Sequence, residues 1–282
     1  MRFLITGANG QLGTDVSIAL LRQNEDVFCP TSAEMDIRNI DAVREVFRSV
    51  RPEAVIHCAA YNQVDKAETE PSVCHAVNVL GTGNVAALCR DYGAYMLSIS
   101  SDYVFDGTKN GLYQTDDPKH PLSVYGASKS EGEDLVMSAD ARNAVIRTSW
   151  LFGPREHNFV EAILRKSENA GQISVVCDQI GTPTYTEDLA ALIAECTLQR
   201  IPGLLHGTNE GFCSRAEFAQ MILQTTGSPC TVRKIFSADI PNSARRPKNS
   251  RLDKRCLDEY NLKRLPHWQD ALTRYIKRRI QI

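Results

Sequence analysis

The feature that most constrains this chain stands at its start. Phe3-Leu4-Ile5 is an apolar run of buried-strand length, glycines follow at 7, 10 and 13, and Val16, Leu20 and Leu21 then mark one helix face. Gly7, Gly10 and Gly13 let the backbone turn tightly and approach a ligand. The helix that opens behind them aims free N–H groups and its positive dipole end at the turn. Strand, turn and helix together make a seat for a pyrophosphate. The spacing is G-x-x-G-x-x-G, a variant of the more familiar dinucleotide fingerprint.

Further strands read at Asp26–Cys29, Ala54–Ala60, Ala94–Ile99 and Ala144–Arg147, and helices fall between them around Val43, Val73–Cys89 and Tyr125–Val136. Strand and helix alternate without a hairpin signal. That pattern predicts an α/β protein with a Rossmann-like, doubly wound parallel sheet. A length of 282 residues suggests two lobes. The regular alternation ends near Trp150-Leu151-Phe152-Gly153-Pro154. The expected division is a dinucleotide domain over 1–147 and a smaller substrate-binding lobe over 148–282, with 173–198 returning to the first. In the second part, Val160–Lys166, Glu187–Leu198 and Trp268–Ile280 read as helices and Ile173–Val176 as a strand. Ser214 with Glu217 has capping-box spacing, and so has Asp65 with Glu68, for which substrate contact is the other reading.

Composition narrows the partners. Net charge is -2, which gives no basic face for nucleic acid. No apolar run reads as a membrane span, and the N-terminus enters a strand without a leader pattern. The nine cysteines include no C-x-x-C pair, which suits reduced thiols in the cytoplasm better than disulfides or zinc.

Three groups carry chemistry. Tyr125 and Lys129 are four apart and share one face of a helix. A neighbouring ammonium and the positive ring of an oxidised nicotinamide would favour the phenolate, bringing proton exchange with a ketone or hydroxyl toward neutral pH. Ser101, at a strand end, can hydrogen-bond the reacting carbonyl against Tyr125. At the end of the second strand, Pro30-Thr31-Ser32 offers no acid to repel a 2′-phosphate and no arginine to bind one. The cofactor expected is NADPH, with NADH left open. Asp36 reads equally as a helix cap or as an adenine-side residue, and Asn78 as a buried brace for the cofactor loops.

At this point the chain resembles the extended short-chain dehydrogenases/reductases, and more closely the dTDP-4-dehydrorhamnose reductase family, nearly end to end. The matching stretches are Leu4–Gly13, Cys58–Tyr61, Val64–Glu68, Ser100–Gly107, Tyr125–Lys129, Arg147–Gly153, Asp178–Thr184 and Ala244–Leu252. The last three are the most specific. The resemblance implies reduction of the C4 ketone of dTDP-4-dehydro-L-rhamnose. It implies a cofactor bordered by Gly10, Gln11, Leu12, Asp36, Ile37, Ala60, Tyr61 and Asn62. Tyr125 is then the proton donor, Lys129 orients the nicotinamide ribose, and Ser101 stands where the family usually has Thr. Asp102 and Trp150 match positions that contact the sugar nucleotide. Arg245 and Arg246, in a basic stretch, would clamp its diphosphate. Asn62-Gln63 departs from the family after Tyr61 and touches the choice of sugar. Some members are described with a magnesium-bridged dimer; Asp15 is the nearest candidate, yet the chain is short at its C-terminus, and no metal is expected. A homodimer is left open. The alternatives are a reductase of another 4-keto-6-deoxy sugar nucleotide, or a non-catalytic cofactor-binding regulatory subunit, against which intact Ser101, Tyr125 and Lys129 speak.

Overall fold

A computed structural model describes residues 1–154, 158–240 and 244–280. Its centre is a six-stranded sheet. In chain order the strands are β1 (Arg2–Thr6), β2 (Asp26–Phe28), β3 (Ala54–His57), β4 (Tyr95–Ser101), β5 (Ala144–Thr148) and a sixth, Gly203–His206. They lie in the order sixth-β5-β4-β3-β1-β2, and every pairing is parallel. The chain winds outward from β1 to β2, then crosses back to β3 on the other side of β1. The gap between the tips of β1 and β3 is therefore the topological switch point, where such sheets bind ligands.

Helices cover both faces. Helix α1 (Gln11–Leu21) lies on one face through Leu12, Val16 and Leu20. On the other lie α2 (Ile40–Val50), α3 (Pro71–Tyr92) and α4 (Val124–Ala139), which bury Val43, Phe47, Val85, Leu88, Cys89 and Val136. By length and composition α3 could cross a bilayer, in contrast to the sequence expectation. Here it is a core helix, with half of its apolar window packed inside the protein. A π-helical stretch, Ala76–Gly81, interrupts it and turns Asn78 inward.

A second core gathers α5 (Phe159–Ser167), the parallel strand pair Gln172–Val176 and Thr231–Ile235, α6 (Arg215–Thr225) and α7 (Trp268–Ile280). Phe152, Tyr185, Phe218, Trp268 and Tyr275 pack together at its middle. The Ser214–Glu217 capping box opens α6.

Three expectations change. Segment 173–198 does not return to the sheet as a unit: its strand pairs with Thr231–Ile235 in the second core, while the helix Thr186–Leu198 packs with α1 through Leu189 and Ile193. Asp65 and Glu68 form no capping box. Asp65 accepts from the Ala244 N–H at 2.9 Å and pairs with Arg246 at 2.8 Å, whereas Glu68 accepts from the Val124 N–H at 2.8 Å and so caps α4. The cap of α2 is Asn39, not Asp36.

One ion pair joins the layers under α4. Arg147 of β5 donates to both oxygens of Glu133, at 2.9 and 2.8 Å, with each side chain 2% exposed. Removing Arg147 leaves the buried Glu133 with only the longer 3.6 Å contact to Lys119 and the Ser100 hydroxyl. Arg147→Met is expected to cost about 3–5 kcal/mol of stability in urea unfolding, and a loss below about 1 kcal/mol would show the pair to be dispensable.

Candidate active site

The glycine turn closes onto β3. Gly7 has φ +67°, and a Cβ there would stand 2.6 Å from the Ala59 nitrogen; one on Gly13 would stand 2.3 Å from the Gly7 carbonyl. Only glycines allow this approach. Gly10 precedes α1 with no side-chain cap, which leaves the first N–H groups of that helix for a ligand. The cradle that results, free of side chains and facing a helix N-terminus, fits a dinucleotide pyrophosphate.

From this turn a cleft of about 850 Å³ runs along the sheet's C-terminal edge. Gly7, Gly10, Gln11, Leu12, Gly13, Asp36, Ile37, Ala60 and Asn62 all line it, and so do Ser101, Asp102, Tyr125, Lys129 and Trp150. Tyr61 does not. Its hydroxyl donates to Glu70 at 3.1 Å, and its backbone is held on both sides by the Asn78 amide. Arg38 lines the cleft near Thr31 and Ser32, so an arginine does reach the region where the second strand alone showed none. It grips the Asp36 carboxylate, which lies below its ordinary pKa because of that contact.

Arg245 and Arg246 lie elsewhere, on a second cavity of about 1410 Å³ that extends over the smaller core. The two cavities meet at Asn62, Val64, Tyr103 and Arg215. Asp15, the candidate metal ligand, is buried and accepts from the Thr186 hydroxyl. Among the described residues no three His, Cys, Asp or Glu side chains gather as a metal site.

Helix α4 carries Tyr125 and Lys129 against the sheet. Ser123 caps it, accepting from the Gly126 N–H at 3.1 Å. Gly126 lets the helix approach closely, since a Cβ there would lie 2.3 Å from the Tyr103 carbonyl. Lys129 is buried and donates from Nζ to the Ile99 carbonyl at 2.7 Å. Burial lowers its pKa to about 8, and the nearby Glu133 opposes that fall. Tyr125 differs from the sequence expectation. Burial pushes its hydroxyl above the ordinary phenol range, Ser101 opposes through a hydrogen bond, and Asp102 adds to the rise. In the free protein desolvation thus outweighs any help from Lys129, and the phenol keeps its proton. That is the state a proton donor needs.

Asn78 ties this helix to the cofactor loop. Its amide accepts from the Tyr61 N–H at 2.8 Å and donates to the Ser128 hydroxyl at 2.9 Å; Ser128 in turn donates to the Tyr125 carbonyl. Arg215 and Arg38 were the residues that sequence reasoning missed. For Arg215 a signal existed: the capping box at Ser214 fixes the next residue at the first position of α6.

A parallel sheet wound both ways from a glycine turn, with a Tyr-x-x-x-Lys helix reaching the same cleft, defines the extended short-chain dehydrogenase/reductase class. The model of the family described as RmlD substrate binding domain matches residues 1–280, and the chain belongs to that family. A dTDP-4-dehydrorhamnose reductase of Aggregatibacter actinomycetemcomitans is 38% identical over 96% of this chain and 97% of its own length. The solved structure of a dTDP-4-dehydrorhamnose reductase from Clostridium acetobutylicum superposes with a TM-score of 0.97 at 35% identity, covering 100% of both chains. That of Bacillus anthracis, in complex with NADP, gives 0.94 at 36% identity, covering 98% of this chain and 99% of its own.

Asp102 carries a measurable strain. It is 2% exposed, accepts from the Ser101 hydroxyl at 3.0 Å, and its Oδ2 has no hydrogen-bond partner among the described residues. Burial raises its pKa from 3.8 to about 6, opposed by hydrogen bonds from Ser250 and Ser101 and then by the charge of Arg215. Folding therefore favours the protonated acid, a contribution whole below about pH 3.8 and lost as pH rises through about 6. Asp102→Asn should leave stability at pH 4 nearly unchanged and raise it at pH 7 by on the order of 2–3 kcal/mol in urea unfolding. An equal effect at both pH values would contradict this account of the carboxyl.

Proposed function

We propose that this chain is a dTDP-4-dehydrorhamnose reductase, using NADPH to reduce the C4 ketone of dTDP-4-dehydro-L-rhamnose to dTDP-L-rhamnose. The single observation that carries the reading is the convergence of Ser101, Tyr125 and Lys129 on the cleft that begins at the glycine turn. The naming of full-length relatives supports the substrate. The NADP bound by a 36% identical relative supports the cofactor, as do Thr31, Ser32 and Arg38 at the cleft wall. NADH is the weaker alternative.

In this reading the sheet core is the cofactor domain and the second core the substrate lobe. The glycine turn and the first N–H groups of α1 hold the pyrophosphate, with Gln11 and Leu12 beside it. Asp36 and Ile37 border the adenine side; Ala60 and Asn62 border the nicotinamide half. Trp150 and Asp102 face the sugar, and Arg245 and Arg246 face the outer part of the nucleotide diphosphate. Nine free cysteines suit a reducing, cytoplasmic setting.

A reduced nicotinamide bound in the cleft supplies a hydride. Lys129 donates to the ribose hydroxyls and holds the ring in place. Ser101, whose hydroxyl donates to Asp102 in the free protein, turns to donate to the ketone oxygen and steadies the negative charge that grows there. Tyr125 then delivers its proton to that oxygen, so that the C4 ketone gains one hydride at carbon and one proton at oxygen and becomes an alcohol. Burial keeps the phenol protonated in the free protein, so the proton is available for the carbonyl oxygen.

Tyr125→Phe should lower turnover by ~10²–10⁴-fold with NADPH affinity retained, as followed by NADPH oxidation with the dTDP-linked ketosugar and by cofactor fluorescence titration. Turnover within threefold of the parent would remove Tyr125 from the proton-donor role. Lys129 adds a pH signature, because its ammonium is lost as pH rises through about 8. The kcat/KM for NADPH, which reports the free enzyme, is expected to decline above that pH. A profile flat to pH 10 would assign the ribose contact to another group.

A further inference from the structure

The cation at the meeting of the two cavities is not in the basic stretch around residue 245. Arg215 lines both the cofactor cleft and the larger cavity over the second core. Its guanidinium carbon lies 3.7 Å from the ring centre of Trp150 and 5.1 Å from that of Phe159. Contact of this kind holds an arginine over the ring without neutralising it, and Tyr103 takes one hydrogen bond from it. Burial works against its charge; Tyr103, by proximity and a hydrogen bond, and the nearby Asp102 favour it, and among the described residues no carboxylate forms a salt bridge with it. Arg246, by contrast, is committed to Asp65 at 2.8 Å and to the Ala244 carbonyl at 3.1 Å. Arg245 is exposed.

Keeping a desolvated guanidinium without a carboxylate salt bridge costs stability. The cost is offset when an anion arrives in the cavity. The position of Arg215 says which anion. Asp102, beside it, follows Ser101, so Arg215 stands a short step from the groups assigned to the ketone. In a hexose nucleotide the ketone carbon and the anomeric oxygen face each other across the ring. The phosphate attached to the anomeric oxygen must then lie one sugar ring away from Ser101 and Tyr125, in the direction of the second cavity. We infer that Arg215, held flat on Trp150, is the residue that grips the sugar-bearing phosphate of the nucleotide diphosphate and so sets how deep the sugar enters the cleft. Arg245 and Arg246 face the more distant part of the nucleotide. This rests on the sugar-nucleotide reading given above.

The test compares thymidine diphosphate with thymidine monophosphate, which lacks the phosphate in question. Both are titrated by calorimetry into the NADP⁺-loaded protein, parent and variants. Arg215→Met keeps an apolar stem over Trp150 and removes the charge; Arg215→Lys keeps the charge and loses the planar fork. Arg215→Met should weaken the diphosphate by about ten- to hundredfold, the usual effect of losing a charge-assisted contact, and leave the monophosphate within twofold. Arg215→Lys should fall between. The NADP⁺ titration shows that each variant is folded. Unchanged diphosphate affinity in Arg215→Met, or an equal loss for both nucleotides, overturns the assignment, the second because it marks a role in packing alone. A parent protein that binds NADP⁺ and neither nucleotide overturns the sugar-nucleotide reading itself.

Discussion

One carboxylate holds the active-site helix to the sheet. Glu133 takes both donors of Arg147 from β5, and the Ser100 hydroxyl of β4 donates to the same group at 2.5 Å. Arg147 also donates to the Thr115 carbonyl at 3.0 Å and lies 5.0 Å from the ring centre of Phe105, so the connection between β4 and α4 is drawn in as well. Tyr125, Lys129 and Glu133 follow one another at four-residue spacing and therefore occupy one face of α4. The residue that anchors this face to the sheet is thus one turn from Lys129, the proposed cofactor contact, and two turns from the proposed acid. Glu133 acts electrostatically too, because its charge helps keep the buried Lys129 protonated. Position and protonation state at this site depend on the same group.

Close backbone approach makes that arrangement dense. A Cβ on Gly132 would lie 2.7 Å from the Asn78 carbonyl, and one on Gly126 would meet Tyr103. These two glycines bring α4 against α3 and against the turn after β4. Density excludes water, and exclusion of water sets the charge states. His57 is buried between Thr6 and Thr82, with hydrogen bonds of 2.8 and 3.1 Å to their hydroxyls, and burial holds its pKa down to about 3. A neutral imidazole there adds no second positive charge near Lys129. The phenol of Tyr125 is held protonated by the same desolvation that lowers Lys129. A low-dielectric cleft of this kind strengthens each contact made to charge that develops during reaction.

What the sequence made legible was local. The strand-glycine-helix unit, the Tyr125–Lys129 spacing, the Ser214–Glu217 box and the helix Trp268–Ile280 are each set by residues within a few positions of one another. What it hid was long-range partnership. The Asp65–Glu68 spacing resembles a capping box, yet Asp65 finds Arg246, 181 positions further along the chain. Arg38 reaches the cleft wall from ten residues past β2, beyond the window in which a phosphate-binding arginine is ordinarily sought. The strand Gln172–Val176 has the same local pattern whichever sheet it joins, and only its pairing with Thr231–Ile235 assigns it to the second core. Spacing determines the face on which a side chain lies. It carries no information about which distant element covers that face.

The crossing between the two cores shows why the site lies where it does. The chain leaves β5 at Thr148 and must turn at once toward the second core. Trp150 makes that turn with φ +47°, an unfavourable conformation for a large L-residue, of order 1–3 kcal/mol. Three neighbours hold it there. Gly181 leaves space that a Cβ would take from the indole, at 2.7 Å; the Thr184 N–H donates to the Trp150 carbonyl at 3.2 Å; and Arg215 covers the ring. Gly181 and Thr184 belong to the segment that returns from the second core, and Arg215 opens a helix within it. The indole is thus clamped by both parts of the molecule, and Gln11 at the start of α1 meets Asn158 at the start of α5 at 3.1 Å close by. The Trp150 turn therefore stands where the chain passes from one core to the other, and it lines the cleft at that point.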